Sequence, residues 1–316
     1  VDELMNPVVL EIGEASVIVQ EPALDLTTSF SVAETDAADI IRVTVTATNS
    51  GTATAYNARF LDDLRGVDLA YRGDIQGANP PTADVLTIDA DAPIFSWAAG
   101  LTLAPTESIT FSYAVEGATT VEPGQLRAHT IEADWTSLSS QNTALNVSTG
   151  QLGPNGSPSG MRIGALPNAA DPLNDYEAAI AEDVPVTVVA VNKTDVNPTQ
   201  APEIGSHRNF EIEILLPEGI TRDVIVSDAL DSGSTGYVLA HNATYDITYE
   251  FVGLADINGV PADEPAFTAV PVDNTSGTAV WNIGTVTTLS EDDLVTNAIT
   301  PAIRIRYAAR INNDVN

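Results

Sequence analysis

The sequence predicts an all-β protein made of tandem immunoglobulin-like antiparallel β-sandwiches. Three observations carry that expectation. Short segments alternate apolar and polar residues with the period of two that turns one face of a strand toward a core. Turn residues punctuate them at close intervals, and no sustained helical period is present. The chain also repeats itself. Ile41–Leu64 and Phe210–Leu230 are each an alternating strand, a Gly-containing turn, a second alternating strand and then Asp-x-Leu. WAAG at Trp97–Gly100 is echoed by WNIG at Trp281–Gly284, and Ile109–Val115 by Ile303–Arg310. A long-period repeat marks stacked modules.

Taken in order, Val8–Gln20 reads as one or two strands ended by Pro22, and Ala23–Val32 opens a new one. Ile40–Thr48 alternates strictly, with Ile41, Val43, Val45 and Ala47 on one face and Arg42, Thr44, Thr46 and Thr48 on the other. Asn49-Ser50-Gly51 is a turn and Ala55–Leu61 the return strand. Asp68–Asp91 is polar and reads as loop with a short strand at Val85–Ile88; Ile94–Trp97, Ser108–Val115 and Gln125–Trp135 follow as strands. The Gly/Pro/Asn/Ser-rich stretch Ser137–Leu173 reads as a connector, long for a compact domain. Ala178–Val191, Phe210–Leu215, Asp223–Val226, Tyr237–Leu239, Thr244–Phe251, Thr278–Ile283 and Ala302–Ile311 form a second set of strands. Ser290–Asp293 reads as a capped helical turn. The expected division is residues 1–22, a strand segment completing another module; 23–188, a first sandwich with its connector at about 137–176; and 189–316, a second sandwich lacking its last strand.

Composition narrows the function. Twelve basic residues against 44 acidic ones give a net charge of −32, which repels phosphate backbones and anionic membranes, so nucleic acid and membrane insertion are excluded as partners. No run approaches the ~18–20 apolar residues of a membrane span. No signal peptide is visible before Val1, so one was removed or the chain is a section of something longer. The absence of cysteine removes disulfides and thiolate metal sites.

The order of motifs resembles the conserved-repeat, isopeptide-forming fimbrial-type domains of giant bacterial surface proteins. The second module carries NKTDV (Asn192–Val196), EIGSHRNFEIEI (Glu203–Ile214), VSDAL (Val226–Leu230), WNIG and IRYAARINN (Ile305–Asn313). The first carries the same frame with a trailing segment over Asp134–Ala178. The resemblance implies an extracellular structural protein, not an enzyme, in which a Lys–Asn isopeptide bond joins first and last strands beside a carboxylate. Lys193, the chain's single lysine, falls at the reactive position, and Asp228 at the carboxylate. In the first module Thr28, Asp62 and His129 stand at the Lys, Asp and Asn positions, so no bond forms there.

The last strand of the second module, Leu-x-Asn-x-Ala in the family, is not reached by Asn316. LMNPVV at Leu4–Val9 fits it, with Asn6 as acceptor. Either the chain is a window on a longer repeat protein, or each copy's N-terminal strand completes its neighbour head to tail, with Asn6 of one copy bonded to Lys193 of the next; Asn312 or Asn313 are internal alternatives. The expected function is a fibre, pilus-like filament or surface stalk whose partners are copies of itself. The alternative is a section of a large adhesin that binds glycan or calcium through its loops. No cofactor is expected unless Asp256, Asn258 and Asp263 form a loose calcium loop in place of a solvated turn; Asp84, Asp89 and Asp91 invite the same comparison. His129, His207 and His241 suggest no zinc site or catalytic set. Asp62-Asp63 lacks the aromatic cleft of a glycosidase, and Trp97 with Trp281 reads as core packing. The sequons at Asn146 and Asn242 are chance-level in a Thr-rich chain.

Overall fold

The computed structural model describes residues 16, 18, 20–77, 84–87, 91–139, 164, 176–199, 203–232, 235–262, 267–289 and 300–312. Ten strands build the first module: β1 (Leu24–Phe30), β2 (Ile40–Asn49), β3 (Ala55–Asp63), β4 (Leu69–Gly77), β5 (Asp84–Thr87), β6 (Pro93–Ser96), β7 (Leu101–Leu103), β8 (Ser108–Gly117), β9 (Leu126–Thr136) and β10 (Glu177–Pro185). Ten more follow: β11 (Ala190–Asp195), β12 (His207–Leu215), β13 (Ile220–Ala229), β14 (Asp231–Ser232), β15 (Thr235–Ala240), β16 (Thr248–Val252), β17 (Leu254–Ile257), β18 (Val260–Pro261), β19 (Thr278–Thr288) and β20 (Ala302–Ile311).

The alternation of β2 explains the first sandwich. Ile41, Val43, Val45 and Ala47 are all buried, and each Val or Ile removed from water is worth about 1.5–3 kcal/mol. The sheet β1-β2-β8-β4 faces the sheet β10-β9-β3-β6-β5, with β7 added on β3. Between them Phe60, Phe95, Phe111 and Tyr113 pack ring on ring, with Phe95 and Tyr113 centroids 4.5 Å apart. The second sandwich has its own core around Trp281, Ile283, Ile303, Ile305 and Tyr307. Its sheets are β11-β12-β20-β15-β14, with β16 on β20, and β13-β19-β17-β18. Sheet-on-sheet packing of alternating strands is the immunoglobulin-like architecture the pattern predicts.

Two local expectations are corrected. Leu69–Gly77 is a strand on β8 rather than loop; positive φ at Gly73 and Asp74 breaks its register and hides the alternation. Asn258-Gly259 forms a tight turn between β17 and β18, in keeping with the turn expected there as the alternative to a calcium loop. Trp97 and Trp281 are not structural equivalents. Phe95 pairs with Phe60 as Trp281 pairs with Val226, so Phe95 holds the place of Trp281. The first module inserts a turn, closed by Gly100 N–H on the Trp97 carbonyl at 2.8 Å, where β19 runs on. Trp97 is left half-buried against Phe60 and Phe111, while Trp281 is fully buried. Ser290–Asp293, Asn146 and most of the 137–176 connector lie outside the described residues.

The modules meet where the turn before β13 docks on the loop before β9. Ile220 N–H donates to the Val121 carbonyl at 3.0 Å, and Arg222 pairs with Glu122 at 2.5 Å. A Cβ on Gly219 would stand 2.4 Å from the Val121 oxygen, and its φ of +119° already demands glycine.

Candidate functional site: matched polar clusters in the two sandwiches

Strand register aligns the modules without reference to sequence. Phe30, Val43 and Tyr113 lie side by side across β1, β2 and β8, as Asp195, Phe210 and Tyr307 do across β11, β12 and β20. Two residues before Phe30 is Thr28, and two before Asp195 is Lys193. The placement of Thr28 at the lysine position therefore follows from geometry. Asp62 and Asp228 complete the match, because each accepts a hydrogen bond from the aligned tyrosine.

In the second module Lys193 Nζ donates to Asp228 Oδ1 at 2.6 Å, and the Tyr307 hydroxyl donates to Asp228 Oδ2. The ammonium also lies 4.6 Å from the Phe210 ring centroid, a cation–π contact. Asp228 and Tyr307 are buried, and burial followed by the Asp228 carboxylate pushes the Tyr307 hydroxyl well up. Lys193 itself is 39% exposed.

The strand surroundings of the two carboxylates differ. In the first module β3 is flanked by β6 on one side and by β9 on the other, and β9 carries β10. Among the described residues β13, the counterpart of β3, pairs with β19 alone. No described strand takes the place of β9 beside it.

The first module shows what such a strand supplies. On β9, His129 places Nε2 2.9 Å from Asp62 Oδ1, with both side chains fully buried. Tyr113 donates to Asp62 Oδ2 at 2.6 Å. The Thr28 hydroxyl oxygen is buried and makes no hydrogen bond, and Phe30 meets the imidazole edge-on at 5.3 Å. His129, which the sequence placed at the last-strand Asn position, faces the core carboxylate from β9. His207 stacks on Tyr245 at 4.0 Å and His241 Nε2 lies 3.2 Å from Asp246; the three do not converge. The tyrosines escaped the sequence reading; their signal was the repeated Tyr-Ala at the same place in β8 and β20.

The remaining candidates lie elsewhere. Asp256 Oδ1 accepts from Gly259 N–H at 2.9 Å, and Asn258 donates to the Ile283 carbonyl at 2.8 Å and accepts from Thr285 N–H at 2.9 Å. Their polar atoms close the β17–β18 turn, and no group of three metal-ligating side chains occurs among the described residues. Asp263, Asn6 and Asn313 lie outside the described residues, as does Asp89. Asn312 ends the ladder, its N–H on the Gly236 carbonyl at 2.9 Å.

No known family profile and no curated protein matches the chain. Among solved structures it is similar to the C-terminal domain of the Streptococcus agalactiae AgI/II polypeptide BspA, at 7% identity over 91% of each chain and a TM-score of 0.29. It is similar to the T6 backbone pilin of serotype M6 Streptococcus pyogenes at 10% identity, over 92% of this chain and 67% of that one, TM-score 0.31. The major pilin subunit BcpA of Bacillus cereus gives 11% over 90% and 66%, TM-score 0.31. An enzyme, the macrocyclisation catalyst AvmM, is also among the similar structures. Likeness at this level assigns no function, and the conclusion rests on the chain's own geometry: an all-β protein of two immunoglobulin-like sandwiches, each with a core carboxylate held by a tyrosine, Asp62 beside His129 and Asp228 beside Lys193.

Proposed function

We propose that this chain is a structural component of an extracellular fibre, pilus-like filament or surface stalk, assembled head to tail from copies of itself. The observation that carries it is a β13 strand that, among the described residues, pairs with β19 alone, with Lys193 held on its Asp228. An edge strand beside a buried carboxylate is a template for a further strand. The N-terminal strand of a second copy, with Asn6 facing inward, supplies it, and head-to-tail contacts of this kind build open filaments.

The same strand supplies the acceptor for a covalent lock. Burial by the incoming strand favours the neutral amine. Asp228 takes a proton from Lys193 and returns it to the departing group, while Tyr307 holds the carboxyl in place. Lys193 Nζ forms the new bond to Asn6 Cγ, the Cγ–Nδ2 bond breaks, and one ammonia leaves. No oxidant or cofactor enters that balance. The acidic surface, at −32, keeps such an array soluble.

Mass spectrometry of native material boiled in denaturant tests this. A ladder of multimers and a peptide joining Lys193 to Asn6 with loss of one ammonia is the expected result. A single monomer mass with unmodified Lys193 overturns the lock, and monomers under native conditions as well overturn the filament.

A further inference from the structure

The outer face of the β12–β20 pair differs from its counterpart in the first module. Asn209 lies opposite Ala308, as Arg42 lies opposite Ala114. In the first module Arg42 reaches across β8 at that place. Its guanidinium donates to the Asp74 carbonyl at 3.0 Å and to Ser112 Oγ at 3.2 Å, and pairs with the Asp74 carboxylate. Asn209 is too short to do the same. The outward residues of β20 run Arg304, Arg306, Ala308, Arg310, so one small side chain interrupts a row of arginines.

The neighbouring strand changes at the same point. Ala240 of β15 pairs with Ala308, and Thr248 of β16 with Arg306, so residues 241–247 loop out between two adjacent outward positions of β20. In the first module Gly73 and Gln76 hold those places, and only Asp74 and Ile75 intervene. The longer loop is fixed in place. Asn242 Oδ1 accepts from Thr244 N–H at 3.0 Å, and Asn242 N–H donates to the Tyr245 carbonyl at 2.8 Å. His241 N–H donates to Asp273 Oδ1 at 2.8 Å, and Ile247 is buried in the core. Tyr245 stacks on His207 of β12, with ring centroids 4.0 Å apart and planes 15° from parallel.

Ala308, Asn209, Tyr245, Asp246, Thr248 and Arg306 line the pocket that results, of about 330 Å³. That lies within the ~300–1,000 Å³ of small-ligand sites. Its chemistry selects the ligand. Arg306 is already held by Glu211 at 2.5 Å and Glu250 at 2.8 Å, so it brings no unbalanced charge to a phosphate or carboxylate. The net charge of −32 opposes anions further. No group of three metal-ligating side chains occurs among the described residues. What the walls present is an amide, a carboxylate and a hydroxyl, each able to bond a hydroxyl group, beside an aromatic ring with an apolar face. A sugar has that same division, with hydroxyls at its rim and C–H bonds on its face.

We infer that this pocket binds a neutral sugar residue of a glycan, with the Tyr245 ring against the C–H face of the pyranose and Asn209, Asp246 and Thr248 on its hydroxyls. The loop is held before the ligand arrives, which lowers the ordering cost of binding. The site uses no residue of β13, and filament assembly is not required for it.

Saturation-transfer NMR on the full chain tests this, because it reads the sugar's own protons and works on single chains and assemblies alike. The probes are neutral methyl hexopyranosides and N-acetylhexosamines, with glucosamine as a cationic arm and glucuronate as an anionic one. The expected result is transfer to at least one neutral probe, strongest at its ring C–H protons, with a dissociation constant of about 1 mM. Asn209→Arg puts into the pocket the side chain that crosses the same place in the first module, and Tyr245→Ala removes the aromatic wall. Each should weaken binding about tenfold or more, with melting temperature and multimer pattern unchanged. Absence of transfer to every neutral probe overturns the site, and so does binding that survives Asn209→Arg. Preference for glucosamine or glucuronate overturns the neutral sugar as ligand.

Discussion

Lys193 Nζ meets Asp228 Oδ1 at 2.6 Å, and among the described residues the β13 strand that carries Asp228 pairs with β19 alone. In the first module the matching carboxylate, Asp62, faces His129 from β9 and a threonine where the lysine would be. One core position thus has two surroundings: His129 from β9 faces the carboxylate of the first module, and Lys193 from β11 that of the second.

Replacing Lys193 with Arg keeps the charge beside Asp228 but cannot form the amide. Denaturant-resistant multimers should vanish while multimers under native conditions remain, as read by denaturing gel against light scattering.

Asp228→Asn removes the proton carrier and leaves the shape. Positioned acid–base groups contribute about 10²–10⁴-fold, so cross-linking should slow by that order in a time course of the joined peptide. An unchanged rate would remove Asp228 from the chemistry.

His129→Leu should destabilise the first module. It leaves Asp62, fully buried, with an apolar group in place of the imidazole and Tyr113 as its hydrogen-bond donor, and a buried polar group that loses a polar neighbour costs about 1–3 kcal/mol. Chemical denaturation should show one module lost early, with the core of the second unaffected.

Thr28→Lys with His129→Asn rebuilds in the first module the residue types of the second, around an Asp–Tyr pair already in place. The double variant should lose one ammonia and gain a bond between residues 28 and 129 inside one chain, visible by peptide mass. Retention of the calculated mass would show that the two clusters are not interchangeable.

Alkali should loosen both modules. Burial, reinforced by the adjacent carboxylates, raises the Tyr113 and Tyr307 hydroxyls, and burial takes Tyr249 to about 12. A raised phenol favours the neutral fold. Stability is therefore full below the ordinary tyrosine value of ~10 and falls as pH rises past it. Melting followed with tyrosinate absorbance should show these three ionising with unfolding, and Tyr307→Phe should blunt the loss in the second module.

Some of this was legible in the sequence because it depends on local periodicity. The two-residue alternation of β2 and β12, the turn at Asn49–Gly51 and the repeated Asp-x-Leu fix strands, inward faces and the two-module frame. The single lysine and its aligned threonine could be read from the same frame. Tertiary structure decided what depends on contact between distant strands. It put Phe95, not Trp97, in the place of Trp281, because pairing register and not motif spelling sets equivalence. It gave His129 its distance from Asp62, 67 positions away in sequence, and the full burial of both side chains. It also left Val191 58% exposed on β11, since the exposure of a strand residue depends on which distant strands pack over it and leaves no mark on the strand itself.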